Sequence, residues 1–352
     1  MLGLARMQAH FVPARVSPQD KGSAMEFLFA DFLGQPAWMW LGFMGLVVVL
    51  LALDLGVFHR GSHEIGVRES LALSSFYITV GLAFGGYVWW QIGQQAGIEY
   101  LTGFVVEKSL AMDNIFVIAM IFGFFAVPRQ YQHRVLFWGI LGVIVLRAIM
   151  IGLGATLVTN YGWVLYIFAA FLIVTGLKML WWSDHAMDLS NNPLLRFARK
   201  RFNVTDQIHG EAFFVRQPNA AGKMATFATP LFLALVTIEI ADVIFAVDSV
   251  PAIFAITTDP FIVYTSNIFA ILGLRALYFA LAAILHRFAY LKQALAVLLV
   301  FIGSKIFVAD LFGWTKFPPE WSLGITFAIL AAGIGYSLWR TRDHVAEATP
   351  PR

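Results

Sequence analysis

The sequence contains no cysteine. That absence excludes disulfides, thiolate metal sites, thiol redox chemistry and cysteine nucleophiles together, so any metal the chain handles is held by oxygen or imidazole. Charge is scarce as well: 13% of the 352 residues are Asp, Glu, Lys or Arg, against 59% hydrophobic residues and a mean hydropathy of +0.75. No water-soluble domain of this length covers itself with so little polar surface, so the class is membrane rather than globular. No G-x-x-x-x-G-K-[ST] string occurs, which argues against a P-loop ATP-driven pump. No nucleophile, base and orienting triad is visible either, so no catalytic residue is assigned and an enzyme is not expected. The first 36 residues lack the basic n-region, apolar core and small-residue cleavage site of a secretory signal, and Met25 is the expected start of translation.

What the chain does have is long apolar runs. Crossing about 30 Å of hydrocarbon takes roughly 20 residues of helix. Nine runs qualify: 37–58, 70–92, 98–126, 134–157, 161–182, 225–256, 261–285, 291–311 and 321–339. The expected fold is therefore all-α, a polytopic transmembrane bundle of about nine helices. Its expected parts are an N-terminal segment 1–36, helices 1–5 in 37–182, a basic loop 183–224, helices 6–9 in 225–339 and a tail 340–352. The formal charge of +3 would hint at nucleic acid in a soluble protein, but the basic residues sit in short connections, so no nucleic-acid partner is expected. Lys and Arg gather in alternate connections, six of them in 183–224, while 93–97, 158–160, 257–260 and 312–320 hold only Lys316. Under the positive-inside rule this places the N-terminus outside and the C-terminus in the cytoplasm. Trp38 and Trp40, Trp89 and Trp90, and Trp181 and Trp182 mark expected interfaces, and the basic stretch Leu194 to Phe202 is a candidate for lying on an anionic leaflet.

Acids inside the runs carry the most information, because a charge at bilayer depth costs about 2.5–3.5 kcal/mol. Run 3 contains Glu107 and Asp113, followed by Asn114; run 6 contains Glu239, Asp242 and Asp248, followed by Ser249. Such groups are paired, protonated or bound to a cation. The strings Glu107-Lys-Ser-Leu-Ala-Met-Asp113-Asn114 and Asp242-Val-Ile-Phe-Ala-Val-Asp248-Ser249 share the order acid, five residues, acid, polar residue. They lie three helices apart, which predicts an inverted repeat relating helices 3–5 to helices 6–8, the usual arrangement around a secondary-transporter site. Residues six apart on a helix are turned about 240° from each other, so one straight helix cannot aim both acids at one ion. Pro251 predicts a break in helix 6 that would ease this. Carboxylate, amide and hydroxyl oxygens suit hard divalent ions such as Mn²⁺, Mg²⁺ or Ca²⁺, and a proton alone stays open. Arg147 and Arg275 are the natural counterions, with Asp54 at the inner end of helix 1 as a further pairing or gating group. The rival reading makes all of these buried ion pairs that only hold helices together.

Glu107-Lys-Ser-Leu-Ala-Met-Asp113-Asn114-Ile-Phe, Phe137-Trp-Gly-Ile-Leu-Gly142, Asp242-Val-Ile-Phe-Ala-Val-Asp248-Ser249-Val-Pro251, Asn267-Ile-Phe-Ala-Ile-Leu-Gly-Leu-Arg275 and Leu53-Asp54-Leu-Gly-Val-Phe-His-Arg60 resemble the TerC family of membrane proteins, from about Met25 to Arg342. The likeness is nearest to the family's Alx branch, described as a manganese exporter and in older usage as a membrane-bound redox modulator; TerC itself is tied to tellurite resistance. The resemblance implies Mn²⁺ efflux from the cytoplasm through a site of Glu107, Asp113, Asn114, Glu239, Asp242 and Asp248. The resulting expectation is a secondary transporter of the bacterial inner membrane, partnered by a divalent ion and the lipid bilayer, holding no permanent cofactor. Proton exchange on the same carboxylates is an available coupling. The alternative is a non-transporting membrane partner serving redox homeostasis, tellurite resistance or metal loading of exported enzymes.

Overall fold

The computed structural model describes residues 22–56, 66–181, 203–205, 207–218, 223–282 and 291–347. A short helix α1 (Gly22–Phe29) and a two-residue hairpin, β1 (Asp31–Phe32) with β2 (Gln35–Pro36), lead into α2 (Ala37–Gly56). Then follow α3 (Val67–Ile92), α4 (Gln94–Phe124), α5 (Arg129–Asn160) and α6 (Val164–Trp181). After an antiparallel hairpin of β3 (Phe214–Pro218) and β4 (Met224–Ala228) come α7 (Pro230–Ile256), α8 (Pro260–Ile271), α9 (Leu274–Ala282), α10 (Leu291–Leu311) and α11 (Pro319–Glu347).

Helix is the outcome because a backbone in hydrocarbon has no water to bond and must satisfy its own N–H and C=O groups within the segment. Eight spans among the described residues are long and apolar enough to cross a bilayer. The ninth expected span is α4, whose 31 residues rise about 46 Å. It carries Glu99, Glu107, Lys108 and Asp113, and is set apart from the other eight by this charge. It packs against α3, α7, α8 and α11, so protein rather than lipid surrounds its charges. The polarity of a soluble protein is reversed: Val48, Val145, Ile149, Leu153, Ile167 and Val174 are exposed, while Glu107, Asn114, Arg147, Asp242 and Arg275 are buried. Exposed tryptophans such as Trp90, Trp163, Trp181 and Trp321 lie at or beside helix ends, where amphipathic rings suit an interface.

The structure departs from two sequence expectations. The run 225–256 is not all helix: Met224–Ala228 pairs with Phe214–Pro218, and α7 starts at Pro230. Thr229 closes this corner by donating from Oγ1 to the Ala212 carbonyl at 2.7 Å. The expected break at Pro251 is also absent, since α7 continues through it to Ile256. Proline removes one internal hydrogen bond, and packing around the buried Pro251 is enough to keep the helix going. The break falls in the next span instead, at Leu272–Gly273 between α8 and α9. Gly273 has φ +81°, and a methyl there would sit 2.6 Å from Cβ of Tyr77, so both the backbone and the close approach of α3 require glycine. Residues 1–21, Arg60, Trp182, the stretch Leu194 to Phe202 and the side chain of Asp113 lie outside the described residues.

Candidate cation site in the bundle interior

Three helices bring charge together in the interior. On α4, Glu107 and Asn114 are seven residues apart, two turns, and so share a face; on α7, Asp242 and Ser249 do the same. Arg147 of α5 reaches between them, 2% exposed. Its Nη1 donates to Glu107 Oε1 at 2.6 Å and to Ser249 Oγ at 2.6 Å, while its Nε donates to Asp242 Oδ2 at 3.4 Å. Asn114 Nδ2 donates to the other oxygen of Asp242 at 3.4 Å. The result is two carboxylates from different helices, one guanidinium, one amide and one hydroxyl, all buried. Two buried carboxylates against one cation leave an excess of negative charge among these described groups.

The other sequence candidates stand elsewhere. Asp248, six residues from Asp242, is turned away and lies against Thr175 and Lys178 of α6. Glu239 packs on α5, where a methyl added to Gly142 would run into its carboxylate. Among the described residues its buried Oε2 has no hydrogen-bond partner, and it lies beside an apolar concavity lined by Trp138, Leu141, Val145, Leu235 and Ile240. Asp113 is helical in α4, with its side chain outside the described residues. Among the described residues, no three His, Asp or Glu side chains converge as a preformed metal cage.

Arg275 does not join the central cluster. It is buried and paired with Asp54 of α2, with Tyr77 of α3 against the same carboxylate. A cavity of about 30 Å³ has residues of both charged groups in its lining, Asn114 and Asp242 from one and Arg275 from the other. That is space for a water-sized occupant and little more. Lys108, next to Glu107, covers the helix break by donating from Nζ to the carbonyls of Ala270 at 2.9 Å and Leu272 at 3.4 Å. Sequence reading assigned neither this role nor that of Ser249. The lysine signal was readable only as a charge at depth, whereas Ser249 had a direct signal in its seven-residue spacing from Asp242. A third polar group, with Lys316 Nζ on Glu99 Oε1 at 2.5 Å and Lys305 Nζ on Ser322 Oγ at 3.1 Å, ties α4, α10 and α11 at the end of the bundle where α4 begins.

An apolar-faced helical bundle enclosing a charged interior defines a polytopic integral membrane protein. The family model described as integral membrane protein TerC family matches residues 92–345, and the chain belongs to that family. An uncharacterized membrane protein of Myxococcus xanthus is 44% identical over 310 residues, covering 88% of this chain and 94% of the relative. The Alx protein of Escherichia coli (strain K12), provisionally labelled a membrane-bound redox modulator, is 45% identical over 315 residues, 87% of this chain and 96% of its own. A membrane protein of Rickettsia bellii is 46% identical over 301 residues, 86% and 97% respectively. No solved structure matches the chain.

Proposed function

We propose that this protein is a secondary transporter of the bacterial inner membrane that exports a hard divalent cation, Mn²⁺ by its family resemblance, with its N-terminus outside and its C-terminus in the cytoplasm. The observation that carries the reading is Arg147 held between Glu107 and Asp242 in the membrane interior. A buried guanidinium neutralises the two acids while no cargo is bound; a divalent ion approaching the same oxygens takes over that role. Oxygen ligands alone suit a hard ion. Metal and proton compete for carboxylates, which supplies a route for proton exchange.

Further support comes from the way α4 and α7 cross. The acid of each helix lies by the polar residue of the other: Asn114 by Asp242, and Glu107 by Ser249 through Arg147. Reciprocal contacts of this kind are what an inverted repeat meeting at its axis produces. In this reading the two halves rock about the crossing, and the Asp54–Arg275 pair closes the small cavity on the cytoplasmic side. The label on the Alx relative favours a second reading, a partner protein in redox homeostasis, but a chain without cysteine has no thiol of its own for such chemistry. The test is Mn²⁺ flux into and out of proteoliposomes under an imposed pH gradient, with Mg²⁺ and Ca²⁺ as competitors. Saturable, gradient-dependent Mn²⁺ movement is expected. Folded protein that moves none of these ions belongs to the partner reading.

A further inference from the structure

Among the described residues, one interior side chain has no partner at either end. Asn267 of α8 is 0% exposed, and among the described residues neither its Oδ1 nor its Nδ2 meets a hydrogen-bond partner. Its neighbours on the same helix behave differently. Thr265 Oγ1 donates to the Phe261 carbonyl and Ser266 Oγ to the Ile262 carbonyl, each at 2.7 Å, the usual way a helix absorbs a hydroxyl. Asparagine brings an acceptor and two donors. Leaving such groups buried and unmatched forfeits the water they bonded in the unfolded chain and destabilises the fold. For packing alone, a leucine of similar size would serve this position better.

The register of α8 shows what Asn267 faces. Tyr264 donates from Oη to the Ala148 carbonyl at 2.5 Å, and Ile271 packs with Ile140 and Val143, so α8 runs antiparallel to α5. Asn267 lies three residues after Tyr264 and four before Ile271, on the same stripe, and so faces the α5 turn that carries Arg147. Alongside α4 the helix runs parallel: Gly103 abuts Ser266, and Lys108 bonds to the carbonyls of Ala270 and Leu272. Along the helix axes, Asn267 therefore stands within about one turn of the level of Glu107. It belongs to a helix other than the three that supply Glu107, Arg147 and Asp242, and that half-helix ends one turn further on.

We propose that Asn267 is a ligand of the transported divalent ion, adding a neutral amide oxygen to the carboxylates of Glu107 and Asp242. The assignment rests on the transport reading. A neutral oxygen raises the coordination number without adding charge to a site where two carboxylates already balance a dication. The unmatched amide is then a cost in stability accepted for binding, as functional positions commonly show.

Asn267→Leu and Asn267→Asp, made in the full chain, separate the possibilities. Each is compared with the wild type by thermal unfolding in detergent with and without Mn²⁺, and by Mn²⁺ flux in proteoliposomes. Without Mn²⁺, Asn267→Leu is expected to unfold at the wild-type temperature or above it. It is also expected to lose the Mn²⁺-dependent rise in unfolding temperature, and roughly 10-fold or more in apparent Mn²⁺ affinity. Asn267→Asp, which keeps an oxygen ligand, should retain a Mn²⁺-dependent rise. A leucine variant that keeps the Mn²⁺ response and flux, or that unfolds earlier without Mn²⁺, overturns the assignment while the wild-type flux stands. Wild-type protein with neither response nor flux overturns the transport reading and this ligand with it.

Discussion

Asn114 and Asp242 meet across α4 and α7, Nδ2 to Oδ1 at 3.4 Å, and the same crossing sets Glu107 at the far end beside Ser249, seven residues along each helix. Seven residues are close to two full turns, so the acid and the polar residue on each helix point the same way. Arg147 fills the space between, and the consequences for stability and transport can be measured separately.

Arg147→Met removes the only cation shown bonding to Glu107 and Asp242 among the described ion pairs. Breaking a buried ion pair from one side typically costs about 3–5 kcal/mol because a charge is left unmatched. The variant should unfold well below the wild type in detergent. Adding Asp242→Asn to it should recover part of the loss, and a double variant less stable than either single one would contradict the pairing.

Asp54 and Arg275 form the second buried pair, 221 residues apart in the chain. Asp54→Asn and Arg275→Gln should each destabilise, and together they should show a coupling energy of roughly 0.5–3 kcal/mol in a double-mutant cycle. Under the transport reading, the single variants also leak Mn²⁺ in the absence of a pH gradient. Additive stability losses would mean that the two residues act independently.

Much of this was legible in the sequence, and the failures have physical causes. The apolar runs follow from the backbone's need for internal hydrogen bonds, and α4 was identified despite its charges because its flanking residues kept the pattern. The acids were found by their depth, yet the six-residue spacing drew attention away from the seven-residue one that sets Asn114 and Ser249 beside them. Proline at 251 was given the break that Gly273 makes, because a lone proline is a stronger local signal than a glycine whose need lies in Tyr77 on another helix. The hairpin at 214–228 was hidden because its second strand runs into the apolar start of α7. Pairing of Arg275 with Asp54, rather than with the acids of α7, depends on how α2 packs and no local pattern carries it.

Gly273→Ala tests the break directly. A non-glycine residue at φ +81° costs about 1–2 kcal/mol on the backbone alone, and the added methyl also meets Tyr77. The variant should unfold earlier than the wild type, whereas Gly86→Ala, which meets nothing within 4 Å, should change little. Equal behaviour of the two would mean that the bundle does not depend on a glycine at 273.

The natural absence of cysteine makes topology simple to test, since no background thiols need removal. Gln94 and Gln130, both exposed, stand at opposite ends of α4 and its connection to α5. In intact cells a membrane-impermeant thiol reagent should label Gln94→Cys and spare Gln130→Cys. The reverse pattern would invert the proposed orientation and the direction of transport with it.

Glu107 and Asp242, bridged by Arg147, are proposed to hold the transported ion. Saturable Mn²⁺ flux in proteoliposomes, compared between the wild type and Asp242→Asn at matched amounts of folded protein, tests it most directly. Flux is expected from the wild type, and a loss of roughly 10-fold or more in apparent affinity is expected in the variant. Wild-type kinetics in Asp242→Asn would contradict it.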